Sequence, residues 1–267
     1  MKVYECLDVR NVEGIHFGVE CEVEGRKLPT VVSEEWRVEQ DGSLRDGLEY
    51  VFDGPLKPVA AKKALKTLFK TFEERKTVLD YSFRTSTHVH ANVRDMEVKH
   101  VLNAVFLYIL VEDLFTNFCA ENRRGNRFCL RFKDAQWLYT VVAQMAHNIH
   151  AGNEPRAIMG VEQNSVKYSA LNLYTLQKYG TLEFRTLEGT NDYNKIVMWM
   201  DTIQRLLEVS KEFESLTELH ATFFADPEAI VDRIFADPVF KFDGWKQSIE
   251  ESYSQAYHIV LSSEGVA

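Results

Sequence analysis

The chain has 267 residues, with 31 Lys and Arg against 40 Asp and Glu, a net charge of −9. Its 45% hydrophobic and 27% charged residues are ordinary for a globular protein and exclude a disordered or collagen-like chain. The acidic balance excludes nucleic-acid binding across the whole surface, because that work falls to Lys and Arg neutralising phosphates, although a local basic patch stays open.

Residues 2–10 alternate weakly and read as an edge strand. Residues 15–24 give the clearest strand signal: Val19, Cys21 and Val23 fall on one face, and Glu20, Glu22 and Glu24 on the other. The turn dipeptides at 41–43 and 46–47 suggest a hairpin over 35–52. Pro58 opens a helix over 58–77, with Val59, Leu65, Leu68, Phe69 and Phe72 at helical spacing. A strand follows at 85–93, with His88, His90 and Asn92 opposite Thr87, Val89 and Ala91, and then a mostly apolar helix over about 97–119.

Next comes a loop with four arginines, Arg123, Arg124, Arg127 and Arg131, and a helix over 134–150 ended by Gly152 and Pro155. Two short segments occupy 167–188, the second with Leu182, Phe184 and Leu187 buried and Glu183 and Arg185 on the opposite face. Asp192 caps a long helix to about 215. Two shorter helices complete the chain, signalled by Asp226-Pro227 and Asp237-Pro238. With no repeat and no linker, the chain reads as one α+β domain over 1–267 with a helical C-terminal third.

Cys6, Cys21, Cys119 and Cys129 have neither CxxC nor zinc-ribbon spacing and read as reduced thiols. The start carries no apolar leader. The apolar run 101–111 stops at Glu112 and Asp113, short of the roughly 17–25 residues a membrane span needs. The expectation is a soluble cytoplasmic protein.

Three strands each place an acid or imidazole pair at i, i+2 on one face. Taken singly, Glu20, Glu22 and Glu24 are either a solvated face or a carboxylate row for hard cations. His88 and His90 are either surface residues or ligands, and Glu183 with Arg185 is either an exposed ion pair or a phosphate contact. Paired in one antiparallel sheet, the three faces would line a single groove. Carboxylates, imidazole and Arg facing together suit a metal–nucleotide site. No Walker, GxGxxG, GxSxG, HExxH or kinase signature occurs. The arginine loop, with Asn122, Asn126 and Phe128, is either solvated or an anion site for a phosphate or substrate carboxylate. His147 and His150, at i, i+3 on the helix over 134–150, have no evident third ligand.

In sequence order, FGVECEVEG (17–25), WRVEQDGSLRDGLEYV (36–51), THVHAN (87–92), RRGNRFC (123–129) and KYSALNLYTLQKYGTLEFRTLEGT (167–190) resemble the elements of the phage-type amidoligases. These belong to the glutamine synthetase and glutamate–cysteine ligase superfamily. The resemblance covers 15–200; residues 205–267 lie beyond it as a helical appendage. It implies a curved antiparallel sheet forming a half-barrel groove, with helices on its outer face. It also implies an enzyme joining a carboxylate to an amine, through an acyl phosphate made with ATP. By similarity Glu20, Glu22, Glu49, His88 and Glu183 would ligate two or three Mg²⁺, or Mn²⁺. Arg185 would stabilise the transferring phosphoryl group, and His90 would contact phosphate or substrate. Asn172 and Tyr168 would shape the substrate or nucleotide pocket, with Arg124 and Arg127 on the anion. Asp41 and Ser43 match the D-G-S element, which a plain turn explains equally well. A departure follows Glu49, where Tyr50-Val51-Phe52-Asp53-Gly54 replaces the family's apolar or small residues. Other functions of the same sheet are a non-catalytic nucleotide-binding relative and a guanidino-kinase-type phosphotransferase. If the phage resemblance holds, the cytoplasm is that of an infected host.

Overall fold

The computed structural model describes residues 1–162 and 166–266. The alternation over 17–26 forms β1 (Phe17–Arg26), the central strand of an open, fully antiparallel seven-stranded sheet. β2 (Trp36–Glu39) and β3 (Gly47–Phe52) form the expected hairpin, followed by β4 (Val78–Asp80) and β5 (Thr87–Asn92). The short β6 (Leu171–Asn172) and β7 (Thr181–Phe184) complete it. The order is β2-β3-β1-β5-β7-β6, and β4 pairs with the far end of β1.

Among the described residues the helices are α1 (Val3–Leu7), α2 (Pro58–Glu74), α3 (Val98–Phe118), α4 (Trp137–His150), α5 (Glu154–Met159), α6 (Tyr174–Tyr179), α7 (Tyr193–Ser210), α8 (Leu216–Ala225), α9 (Pro227–Ile234) and α10 (Trp245–Ser263). One sheet face is apolar. Phe17, Val19 and Cys21 of β1, Tyr50 and Phe52 of β3, Val89 and Ala91 of β5, and Leu182 and Phe184 of β7 are all buried there. The helices cover that face. Tyr50 meets Phe72 of α2 edge to face, and Phe184 meets Tyr108 of α3 with ring centroids 5.5 Å apart. Phe115 of α3 then packs on Trp199 of α7, and Lys62 of α2 pairs with Asp201 of α7. The opposite face carries the acids and histidines.

α3 has the length and hydropathy of a membrane span, yet 83% of its apolar window is buried inside the fold, as for a core helix. It extends well past the apolar run at 101–111 because Glu112 and Thr116 are also taken into the interior.

Four expectations are corrected. Residues 3–7 form a helix, not an edge strand: Val3 and Cys6 are buried at i, i+3, and Glu5 Oε2 accepts the Lys2 N–H at 2.7 Å. In the first of the two segments over 167–188 only 171–172 pair as a strand. Asn172 Oδ1 then accepts the Tyr174 N–H and starts α6. Pro155 begins α5 rather than merely ending α4. The chain closes with three helices rather than two. The long helix stops at Ser210, Ser215 caps α8 and Asp226 caps α9. Asp237-Pro238 yields a single 3₁₀ turn, and the 19-residue α10 lies beyond it against α3 and α4.

Phe184 is fully buried between the sheet and α3. Phe184→Ala is expected to lower unfolding free energy by about 3–5 kcal/mol, measured by urea melts followed by circular dichroism and tryptophan fluorescence.

Candidate active site on the polar sheet face

Antiparallel register turns four separate strands into one cluster. It sets Glu22 of β1 opposite Glu49 of β3, and Glu20 opposite His88 of β5. His90 lies between Gly18 of β1 and Glu183 of β7, and Asn172 of β6 faces Glu183. Directly opposed residues share a face, so a row of side chains crosses the sheet from Glu49 to Asn172. Gly18 makes room within it: a Cβ there would stand 3.3 Å from the Cβ of His90.

The side chains are nearly enclosed; Glu22, His88, His90, Asn172 and Glu183 are all buried. Ser86 Oγ donates to Glu22 Oε2 at 2.5 Å and lies 2.7 Å from His88 Nε2. With its proton committed to Glu22, the hydroxyl accepts from His88 Nε2–H. The other ring nitrogen, Nδ1, then faces Glu20 Oε2 at 3.2 Å and Glu183 Oε1 at 3.6 Å. Arg185 Nη1 stands 3.5 Å from the same nitrogen and also pairs with Glu183. His90 Nε2 stands 3.2 Å from Glu20 Oε1 and 3.8 Å from Glu183 Oε1, and Nδ1 lies 3.2 Å from Thr181 Oγ1.

These contacts separate the acids. Burial pushes Glu49 up, the charges of Glu20 and Glu22 add to it, and its carboxyl titrates at about 8. Burial also works against ionisation of Glu20 and Glu183. For Glu20 it is outweighed by hydrogen bonds to His88 and His90, and for Glu183 by Arg185 and the two histidines, so both fall below the usual carboxylate range. His90 loses protonation to burial and regains more from Glu183 and Glu20, ending above the ordinary histidine value.

Three sets of ligand atoms lie within 4.8 Å of one another: Glu20 with Glu49 and His88; Glu20 with His90 and Glu183; Glu22 with Asp41 and Glu49. The donors are mostly carboxylate oxygens, with one imidazole in each of the first two sets. Such sets suit a hard divalent ion such as Mg²⁺ or Mn²⁺. The hydrogen bond from His88 to Ser86 is the kind that orients a metal-ligating imidazole.

A family described as "Putative amidoligase enzyme" matches residues 20–207. The chain belongs to this family. No curated protein matches it. A solved structure described as "Crystal structure of novel glutamine synthase homolog" is similar at 9% identity with a TM-score of 0.40, covering 95% of this chain and 68% of that one.

In this amidoligase-family chain Arg185 follows β7 directly. Its guanidinium pairs with Glu183 Oε1 through Nη1, which also lies 3.5 Å from His88 Nδ1, and Nε reaches the Phe128 carbonyl at 3.5 Å. Asn172 is in the cluster but committed, donating to Glu183 Oε2 at 2.6 Å and accepting from Tyr174 N–H. The arginine loop divides. Arg123 is buried and donates to the carbonyls of Thr186 and Arg185 at 2.9 and 2.8 Å. Arg131 is bound to Asp134 and Asp113. Arg127 lies over the Phe128 ring, which meets Tyr168 edge to face, and of these three Phe128 reaches Arg185, through its carbonyl. Arg124 instead donates to Asn117 at the end of α3 and lines a separate small cavity with Arg131 and Lys133. Asn126 braces the loop by donating to the Phe83 carbonyl. His147 and His150 lie on α4, in none of the three ligand sets, and His150 Nδ1 faces the Ser263 carbonyl.

Sequence reading did not single out Ser86, although it extends the His88, His90 alternation by one step. Asp41 both closes its turn, accepting Ser43 N–H at 2.6 Å, and joins Glu22 and Glu49. Two outcomes are expected. Ser86→Ala should weaken Mn²⁺ binding by about 10–100-fold, read by isothermal titration. For Glu49, the folded value of about 8 lies above the roughly 4.3 of an unfolded chain, so its stabilising contribution is full at low pH and is lost as pH rises between those values. The metal-free protein should therefore lose stability from pH 5 to 8 more steeply than Glu49→Gln does, in thermal melts across that range.

Proposed function

We propose that this protein is a ligase that uses ATP and a divalent metal, Mg²⁺ or Mn²⁺, to join a carboxylate to an amine. The observation that carries this reading is the convergence of Glu20, Glu22, Glu49, Glu183, His88, His90 and Arg185 on one enclosed sheet face, in a chain of the amidoligase family.

In this reading an oxygen of the donor carboxylate attacks the γ-phosphorus of ATP, and ADP leaves. The amine then attacks the acyl phosphate carbon, the carbon–oxygen bond to phosphate breaks, and the amine gives up a proton. Bound among the carboxylates, Mg²⁺ would supply charge neutralisation of the phosphates. Arg185 presents a fixed cation beside the cluster. Its partners Glu183 and the Phe128 carbonyl hold the guanidinium in place before the reaction, so little reorganisation remains when charge develops on the phosphoryl oxygens. Asn172, and Ser86 with His88, hold Glu183 and Glu22 in their rotamers. Burial keeps water from the acyl phosphate. In this reading His90, grouped with Glu20 and Glu183, contacts phosphate or substrate.

The test supplies ATP, Mg²⁺ and hydroxylamine with a panel of amino acids as carboxylate donors, and reads hydroxamate and ADP. Hydroxamate is expected with at least one donor. Glu22→Gln and Arg185→Ala should each lower kcat by about 10²–10³-fold. A folded wild-type protein that neither binds Mg-ATP nor turns it over in a way dependent on these two residues would overturn the reading. ADP formed with phosphate left on a guanidino acceptor would convert it to a phosphotransferase.

A further inference from the structure

The carboxylate row of β1 does not end in water. Glu20, Glu22 and Glu24 are followed, two residues on, by Arg26, so the sign of the charge reverses along the strand. Glu24 is only 6% exposed. Its Cα lies opposite Gly47 of β3 and Asp80 of β4, and its Oε1 accepts the Arg45 N–H at 2.9 Å. Beside it opens a cavity of about 390 Å³ whose polar wall is Glu24, Arg26, Arg45, Asp46, Asp80 and Ser82.

This cavity holds two guanidinium and three carboxylate groups. Among the described residues none of the five forms an ion pair within 4.0 Å, whereas Arg37 on the neighbouring β2 is paired with Glu39 and Asp53. The wall is also built tightly. Gly25 sits at φ +147°, where a Cβ would fall 2.0 Å from the Val78 carbonyl oxygen, so β4 approaches β1 as only glycine permits. Gly25 N–H donates to the Asp46 carbonyl at 3.0 Å and fixes the opposite rim.

The cavity adjoins the metal-type cluster. Glu24 is one strand repeat from Glu22, about 6–7 Å, and Glu22 is grouped with Asp41 and Glu49. The turn that starts at Asp41 runs directly into Arg45, and Arg84 Nη1 holds it through the Ser43 carbonyl at 2.7 Å.

We infer that this cavity binds a small zwitterion of the α-amino-acid class, and that this is the amine acceptor of the ligase. The role as acceptor rests on the ligase reading; the binding does not. An anion alone would meet three carboxylates, and a cation alone two guanidiniums. A zwitterion satisfies both, with its ammonium group at Glu24, nearest the cluster, and its carboxylate on the exposed Arg45 and Arg26, which recognise planar carboxylates in bidentate fashion. The volume falls in the ordinary range for small-molecule sites, about 300–1,000 Å³.

The probes are glycine, L-alanine and L-lysine, with N-acetylglycine and glycine methyl ester as one-charge controls, in saturation-transfer NMR and competition titrations without ATP. The zwitterions are expected to bind, and each blocked form about tenfold more weakly, the loss of one charge-assisted contact. Arg45→Ala and Glu24→Gln should each weaken the zwitterion by about the same factor while Mn²⁺ affinity stays within about twofold. Arg45 is exposed, so its substitution reads the site even if Glu24→Gln does not fold. If no zwitterion binds, if N-acetylglycine binds as well as glycine, or if Arg45→Ala binds like wild type, the inference is overturned. ATP turnover dependent on Glu22 and Arg185 would still leave the ligase reading standing. Conversely, zwitterion binding lost in Arg45→Ala in a protein without ATP turnover would keep the site and discard the ligase reading.

Discussion

Like charges held together out of water are the constraint on which this structure turns. Two carboxylates 4 Å apart repel by about 4 kcal/mol at an effective dielectric of 20, and Glu20, Glu22, Glu49 and Glu183 share one face, with Glu22 and Glu183 buried and the other two half-buried. The protein answers with counter-charge from neighbouring strands. His88 and His90 bracket Glu20, and Arg185 takes Glu183. Glu49 has no cationic partner among these and keeps its proton up to about pH 8. The acids are thus only partly neutralised by the polypeptide, which is the state expected of ligands arranged for a cation.

Such a cluster needs a rigid support, and the other face of the same strands supplies it. Glu20 and Glu22 of β1 and His88 and His90 of β5 alternate with buried apolar residues, so packing against α2 and α3 on one side fixes side-chain directions on the other. The strand period of 2 joins stability to site geometry. Substitutions in the apolar layer therefore act on the site as well as on folding.

That period is also why so much of the site is legible in the chain. Glu20 with Glu22, and His88 with His90, declare their common face by spacing alone, and Glu183 does so through its apolar neighbours Leu182 and Phe184. What spacing does not carry is register, which decides that Glu22 meets Glu49 and that His90 meets Glu183. Ser86 escaped because a serine before a strand is common, and only its position between Glu22 and His88 gives it meaning. The arginine loop was harder still. Four identical side chains within nine residues look like one anion site, yet folding sends Arg123 inward, ties Arg131 to aspartates, sets Arg124 on Asn117 and lays Arg127 over Phe128. Among the helices, α8 lies beyond the expected signals, and α10 starts later than Asp237-Pro238 suggests because its cap, Gly244, offers no side chain by which a start is read. The five residues of α1 carry too little periodicity to separate a helix from a strand.

The inward turn of Arg123 has a consequence for how the loop can change. Beyond β7 the backbone is held from two sides: Arg185 N–H donates to the Ala170 carbonyl at 2.8 Å, and the carbonyls of Arg185 and Thr186 rest on the Arg123 guanidinium. One side chain thus anchors the backbone that carries Arg185, freeing its neighbours in sequence from that duty. Arg124 and Arg127, both exposed, take no part in that anchoring, so a change of charge at either leaves the Arg123 hold on this backbone in place.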